Sequence, residues 1–432
     1  MLYALGVVVF AVGLLASIAL HEVGHLVPAK RFGVKVTQYM VGFGPTLWSR
    51  HRGETEYGLK WIPFGGYIRM IGMVPPGTAG RRSRWPRRMA TAIEEFRTTS
   101  RAEVRPEDAE REFYRLTPGK KMIVMLGGPT MNLIIYLVIM VVLLTAVGLP
   151  HDDPTTRLAT VSKCVVSATA TVQDPTSCST PSPAAQAGLQ PGDTIVSVGG
   201  TPIRSWDQLV AIIEPSAGKA LSLVYARDGV THHTTLTPVT NRKWADNAMT
   251  RTVVTGFAGI SPTDHHYYVP VGAAALPGEI GGQIGQALSA VGQFPSKIAN
   301  LWQTVFDNKP RDAQGVIGVV GIGRLGGEIA ETNQYGLQDK VLMLLSLLAS
   351  INLLLFFLNL LPLLPLDGGH VAGAIVEAAR RGWARLRGRR RLIFVDTAQT
   401  LPIMYVVGSA LILLSVLTLY ADIVKPVQLF GG

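Results

Sequence analysis

His21, Glu22 and His25 stand in the run HEVGH, at the end of a stretch of twenty residues that carries no charged side chain. Residues four apart share a helix face, so the two imidazoles can offer nitrogens to a single zinc ion. Glu22 lies beside them. Zinc held by three protein ligands keeps a position for water, lowers that water's pKa to roughly 7, and lets a neighbouring carboxylate take the proton. The run reads as two metal ligands and a general base. The plainer reading is a pair of snorkelling or capped histidines at a helix end. Ionisable groups are costly in lipid, however, and three on one apolar helix call for a compensating partner such as a metal ion.

A second polar break closes another apolar run: Asn359 to His370 reads NLLPLLPLDGGH. Asp367 can supply a third, carboxylate ligand, and Pro362, Pro365, Gly368 and Gly369 loosen the helix so that it can turn inward. Asn359 can donate a hydrogen bond to the oxyanion of amide hydrolysis or hold the substrate backbone. Taken separately, Asp367 reads as a helix cap at a membrane surface and Asn359 as a packing amide. Two such motifs at one depth, on spans running in the same direction, favour a shared metal site. His370 is a rival ligand and ranks below Asp367, because two histidines and a carboxylate already fill a catalytic zinc site.

The elements that must carry these groups are membrane spans. The chain has 432 residues, 48% hydrophobic and only 16% charged, with a mean hydropathy of +0.29. Residues 1–20, about 122–148, about 341–363 and about 401–421 are each long enough to cross a hydrocarbon core of about 30 Å. The first lacks the basic start and small-residue cleavage site of a signal peptide, so a retained span is expected.

The net charge of +11 would suit nucleic acid if it were spread over a soluble fold. It gathers instead beside the spans: Arg81, Arg82, Arg84, Arg87, Arg88, Lys120 and Lys121 between the first two, and Arg380, Arg381, Arg385, Arg387, Arg389, Arg390 and Arg391 between the last two. No nucleic-acid partner is expected. The positive-inside tendency makes both loops cytoplasmic and turns the segment from about 149 to 340 outward. The expected location is a cell membrane, plasma or inner, with several passes and the metal motifs toward the cytoplasmic side.

Trp61 to Met73, with Pro63, Gly65, Gly66 and Gly72 around Tyr67, suits a short hairpin dipping into the membrane beside the metal. Its edge could hold a substrate extended by backbone pairing; an ordinary interfacial hairpin anchored by Trp61 and Tyr67 is the alternative. Ser182 to Gly200 resembles a PDZ domain, with a strand and helix after it, a hairpin turning at Asp228 and Gly229, and GFAGIS at Gly256 to Ser261 as the closing strand of a circularly permuted version. The unit is expected over about 155–265. It could take a peptide as an added strand or act as a size filter, and the sequence ranks neither.

Cys164 and Cys178 are the only cysteines, and their outward position favours a disulfide over two free thiols. His151, His232, His233, His265 and His266 read as solvated residues without metal spacing. Ile284 to Val305 suits a broken amphipathic helix, Gly315 to Ile329 a re-entrant or surface link, and the Arg-rich stretch from about 80 to 116 a solvated loop with a helical part facing anionic lipid.

HEVGHLVPAKRFGVKV, GFGP at Gly42 to Pro45, PFGGYIRMIGM at Pro63 to Met73, GGPTMN at Gly127 to Asn132 and NLLPLLPLDGG together resemble the bacterial site-2 protease family of intramembrane zinc metalloproteases. The likeness covers most of the chain outside the basic insertion and the distal outer segment. The family often has proline at the position of Leu364, whereas this chain has Pro365, which is expected to adjust the local bend and keep the ligands. The resemblance implies one zinc ion held by His21, His25 and Asp367, Glu22 as catalytic base, Asn359 as a substrate or oxyanion contact, and substrate pairing at the hairpin around Gly65, Gly66 and Tyr67. It also implies single-span membrane substrates, such as anti-sigma factors or signal-peptide remnants, trimmed beforehand by a site-1 protease.

The expected architecture is thus a polytopic α-helical membrane protein with four transmembrane helices, a membrane-associated β-hairpin and an extracytoplasmic α/β PDZ domain. In order, it comprises a first span over 1–28, a cytoplasmic-side region over 29–121, a second span over 122–148, the outer unit, a linker over 266–340, a third span over 341–370, a basic loop over 371–400 and a fourth span over 401–421. A membrane-anchored ATP-driven protease would need a GxxxxGK[ST] loop, which the sequence lacks. A catalytically silent adaptor that gathers partners through its outer unit stays open, since sequence shows ligands and not turnover.

Overall fold

The computed structural model describes residues 1–76, 85–102, 104–165, 180–244, 252–307, 309, 311, 315–388 and 394–427. They form two compact units, Met1–Ala146 with Gly272–Gly432, and Val147–Val271. Four helices are long and apolar enough to cross a membrane among the described residues: Leu2–Arg31, Pro118–Val147, Leu337–Leu360 and Thr397–Val424.

The first unit starts with α1 (Leu2–Arg31), whose apolar run continues through HEVGH without a break. Two long strands follow, β1 (Val36–Arg52) and β2 (Thr55–Met70). They do not make a simple hairpin. Each bends near its middle, so that residues 36–41 pair with 66–70 on one side and with 56–59 on the other, while residues 48–52 pair back onto 55–59. The result is a curled sheet of four arms whose last edge is the run Gly66–Met70. The segment 61–73, expected as a hairpin of its own, is largely the far arm of β2; the turns that shape the sheet lie at Gly42–Pro45 and Gly53, where Gly42, Gly44 and Gly53 adopt positive φ. Phe43, Leu47, Trp48, Trp61 and Ile62 stand exposed along the bends, a placement that suits lipid contact.

Within the basic insertion lies α2 (Arg87–Ala102); Arg81, Arg82 and Arg84 lie outside the described residues. Next comes α3 (Pro118–Val142), extended by a π-helical turn over Leu143–Val147. It packs on α1 so closely that a Cβ at Gly24 would overlap the Gly127 carbonyl, and a Cβ at Gly127 the Gly24 carbonyl. Helices in lipid gain little from hydrophobic burial and associate through such small-residue approaches.

The second unit holds β3 (Leu149–Val161), α4 (Pro183–Gln186), β4 (Thr194–Val198), β5 (Thr201–Pro202), α5 (Trp206–Ile213), β6 (Leu221–Arg227), β7 (Val230–Leu236), β8 (Val239–Trp244), β9 (Thr252–Phe257) and β10 (Ile260–Val269). Its main sheet runs β10-β3-β4-β6-β7 with β5 on β4, and β8 pairs separately with β9. Asp228 and Gly229 both take positive φ at the β6–β7 turn, the pattern that matches strand twist in a two-residue hairpin. Leu158, Ile195, Val198, Leu209, Leu223 and Leu236 fill the core. The unit extends eight residues before and six residues after the expected range of 155–265, because β3 and β10 pair along their whole length, down to Leu149 and Val269. Cys164 is disulfide-bonded; Cys178 lies outside the described residues.

Back in the first unit, α6 (Leu276–Gly292) and α7 (Phe294–Phe306) replace one helix broken near Pro295, and Tyr136 of α3 donates to Gln283 of α6 at 3.1 Å. The glycine-rich run expected as a re-entrant link is a regular helix, α8 (Val319–Glu331). Its glycines mark close packing on α1: a Cβ at Gly6 would overlap Ala330 and the Gly326 carbonyl, and one at Gly327 would lie 2.6 Å from the Tyr3 ring. The third spanning helix, α9 (Leu337–Leu360), meets α1 through Asn352, which donates to Ser17 at 3.0 Å.

The chain then breaks over Leu361–Leu366, which includes a cis Leu364–Pro365 bond, and restarts as α10 (Asp367–Leu386). The expected span over 341–370 is therefore two helices, with Asp367 opening the second. Glycine is required at the restart, since a Cβ at Gly368 would overlap the Leu360 and Leu361 carbonyls. Arg389, Arg390 and Arg391 lie outside the described residues. The last helix is α11 (Leu401–Val424). Its base is held by a cluster of Val74, Ile93, Ala398 and Leu401 and by an Arg97–Asp396 ion pair at 2.7 Å.

Candidate active site

Three side chains from two distant parts of the sequence converge. His21 Nε2 and His25 Nε2 lie 3.3 Å apart, and Asp367 Oδ2 lies 3.5 Å from the first and 3.4 Å from the second. Helix α1 brings the imidazoles onto one face, and the restart at α10 delivers the carboxylate. Among the described residues this is the one cluster of three or more potential metal ligands.

The protonation pattern follows from the surroundings. His25 Nδ1 is 2.8 Å from the backbone carbonyl of Val124 on α3. A carbonyl only accepts, so the ring proton sits on Nδ1, and Nε2 of the neutral ring presents a lone pair. That lone pair faces the Asp367 carboxylate and His21 Nε2, so three potential ligand atoms converge on one point that a shared cation would fill. A tetrahedral ion with bonds of about 2.0–2.1 Å needs ligand atoms about 3.3–3.4 Å apart, and the three observed separations meet that demand.

One further feature fits a metal. A Cβ at Gly128 on α3 would overlap His25 Nε2 and lie 2.6 Å from His21 Nε2, so only hydrogen at this position leaves the space in front of both nitrogens clear. His21 Nδ1 is buried without a hydrogen-bond partner among the described residues, so no contact on that side fixes which nitrogen of this ring carries the proton.

Glu22 is 7% exposed and accepts a hydrogen bond from the Ile68 backbone N–H of β2. Gly66 lies against it: a Cβ there would be 2.9 Å from Glu22 Cγ and 3.1 Å from the Met40 carbonyl. The edge Gly66–Met70 thus borders the carboxylate. Gly65, at φ 89°, turns beneath the Phe43 ring. Tyr67 points elsewhere: its ring stacks on Phe43 at 6.2 Å, with Lys60 Nζ 5.8 Å from its centroid and its hydroxyl 3.4 Å from Gln38. Asn359, half-buried in the last turn of α9, makes no hydrogen bond to the triad among the described residues.

Sequence reasoning missed the contribution of α3. Val124 acts through its backbone and Gly128 through the absence of a side chain, and neither carries a residue-type signal. Asn132, one turn further along the Gly128 face, is 1% exposed and its Oδ1 has no hydrogen-bond partner among the described residues.

The sequence profile described as peptidase family M50 matches residues 9–402. The zinc metalloprotease Rip1 of Mycobacterium tuberculosis strain H37Rv is 35% identical over 439 residues, covering 100% of both chains. Its counterpart in Mycolicibacterium smegmatis is 33% identical, again covering 100% of both. The regulator of sigma-W protease RasP of Bacillus subtilis is 24% identical over 90% of this chain and 93% of its own.

Proposed function

This chain belongs to peptidase family M50 and is a membrane zinc metalloprotease, and from that premise we propose that it cleaves single-span membrane proteins within the bilayer. The observation that carries the reading is the approach of Asp367 to both imidazoles at 3.4 and 3.5 Å, with the imidazoles on α1 and the aspartate just beyond α9, two helices apolar enough to cross a membrane.

His21, His25 and Asp367 would hold one zinc ion. When bound, zinc supplies Lewis acidity, lowering the pKa of water to roughly 7 and polarising the scissile carbonyl. Glu22, next to His21 and steadied by the Ile68 N–H, takes the proton of the attacking water and returns it to the leaving nitrogen. Asn359 and the buried Asn132 are the amides available to donate to the tetrahedral oxyanion. The Gly66–Met70 edge, with Gly65 setting its turn, pairs with the substrate backbone and draws a helical segment into extended form, which a protease needs because a helix hides its amides.

The second unit is read as an extracytoplasmic PDZ domain. Its β10 is a terminal strand of the sheet, and a cavity bordered by Leu209 and Ile213 of α5, by the β8–β9 pair and by Ile260 at the start of β10 opens beside it. This suits an added peptide strand exposed by an upstream site-1 protease. Basic loops between the spans support a plasma-membrane orientation with the active site toward the cytoplasm. The name of the Bacillus relative links that protein to regulation of sigma-W, and the reading carried over to this chain is a membrane-bound anti-sigma factor as substrate.

The test is cleavage of a single-span reporter in detergent, with the cut site mapped by mass spectrometry. Glu22→Gln is expected to keep zinc and lose cleavage; undiminished cleavage by that variant would remove Glu22 as the base.

A further inference from the structure

A buried ion cluster lies on the same two helices that complete the metal site. Lys121 Nζ on α3 donates to both carboxylate oxygens of Glu377 on α10, at 3.1 and 2.9 Å. The two side chains are 9% and 2% exposed. Arg381, one turn further along α10, reaches the same carboxylate at 2.7 Å, and the Val395 backbone N–H donates to it at 3.2 Å. The Phe394 ring lies under both cations, 5.5 Å from Lys121 and 5.1 Å from Arg381.

Burying an ion pair costs desolvation that its attraction need not repay, so such a pair is poor evidence for stability. What it can do is fix register, because a slip leaves a buried charge unpaired. Here the register matters. Lys121 is one turn before Val124, which orients His25, and two turns before Gly128, which borders both Nε2 atoms. Glu377 is ten residues after Asp367, about 15 Å along one rigid helix. Helices α3 and α10 therefore touch at two levels, with the triad at one and the ion pair at the other. Sliding α10 by a single residue, about 1.5 Å, would break the second and move Asp367 out of the triangle it forms with the imidazoles.

We propose that Lys121 and Glu377 are positioning residues of the metal centre, and that their ion pair sets where α10 lies along α3 and so holds Asp367 against His21 and His25. The proposal rests on the ligand set read above. Substitutions that act on a site through packed helices, without touching it, change its affinity by roughly 2- to 30-fold.

The experiment uses full-length protein in detergent. Zinc affinity is measured by competition with a chromophoric chelator, and thermal midpoints are taken with and without zinc. Lys121→Met and Glu377→Gln are expected to weaken zinc by about fivefold or more and to shrink the zinc-dependent rise in midpoint. Lys121→Arg, which keeps the ion pair, is expected to stay within about threefold of wild type. A role in stability alone would lower both midpoints equally and leave zinc affinity unchanged, and that result overturns the proposal. Should one variant not fold, the other and Lys121→Arg still decide the matter. Asp367→Asn is the control. If it binds zinc like wild type, the ligand set itself is wrong; if it loses zinc while Lys121→Met and Glu377→Gln do not, only the positioning role fails.

Discussion

The Nδ1 atom of His25 lies 2.8 Å from the carbonyl oxygen of Val124, and this one contact decides which end of the imidazole faces Asp367. A metal-binding histidine is commonly oriented in this way through its second nitrogen. Because the acceptor is backbone, no substitution at Val124 removes it directly, so the site is better probed through the neighbouring glycines.

Gly128→Ala places a methyl group against both Nε2 atoms. Zinc content after purification is expected to fall by about 10- to 100-fold, with cleavage lost in proportion. Full zinc occupancy in this variant would mean that the ion sits elsewhere.

Gly66→Ala crowds Glu22 and the Met40 carbonyl and leaves the three ligands untouched. We expect zinc retention at the wild-type level and a fall in kcat of about tenfold or more, since misplacing a catalytic group by about 1 Å can cost 10²-fold. Loss of zinc together with activity would show that the strand edge supports the ligands and not the base alone.

Zinc titration should separate the two units. Zinc at a hundred times its Kd stabilises the state that binds it by about 2.7 kcal/mol, so the midpoint of the helical unit should climb with zinc while that of Val147–Val271 stays fixed. Scanning calorimetry at several free zinc levels checks this, and a zinc-independent helical transition would count against a structural share for the ion.

Asp193 gives the second unit a pH dependence. Burial pushes its carboxyl up, but the Arg227 guanidinium at 2.7 and 2.8 Å and the Gln190 amide at 2.8 Å outweigh that, and the pKa lies below the ordinary carboxylate range. A group depressed by folding adds stability above its unfolded pKa of about 3.9, and that stability drains away as pH falls through the folded value. The second unit should therefore melt at lower temperature below about pH 4. Asp193→Asn should flatten this acid limb and cost about 1.5–3 kcal/mol at neutral pH. An unchanged acid limb would assign the dependence to other carboxylates.

The side-chain part of the site was legible because its chemistry is written in residue types: histidines four apart in an apolar helix, and an aspartate between prolines and glycines. What escaped was geometry held by backbone. The four-arm sheet depends on bends at Gly42–Pro45 and Trp61–Gly65 within two long strands, whereas the proline and glycines of Trp61 to Met73 read in sequence as one short hairpin. Tyr67 was grouped with its glycine neighbours, yet strand alternation turns it to the face opposite Gly66. Glycines in Gly315 to Ile329 read as loop signals because in water they weaken helices, whereas between apolar helices they permit contact.

The meeting of Gly24 with Gly127 also limits how the molecule can breathe. With no side chain interposed, α1 and α3 have nothing to rotate or compress between them, and they behave as a single plank carrying both histidines and the carbonyl that aims one of them. On the proposed function, an incoming helix would find this contact closed to it, and the sheet edge or the helices beyond the plank are the sides left for entry.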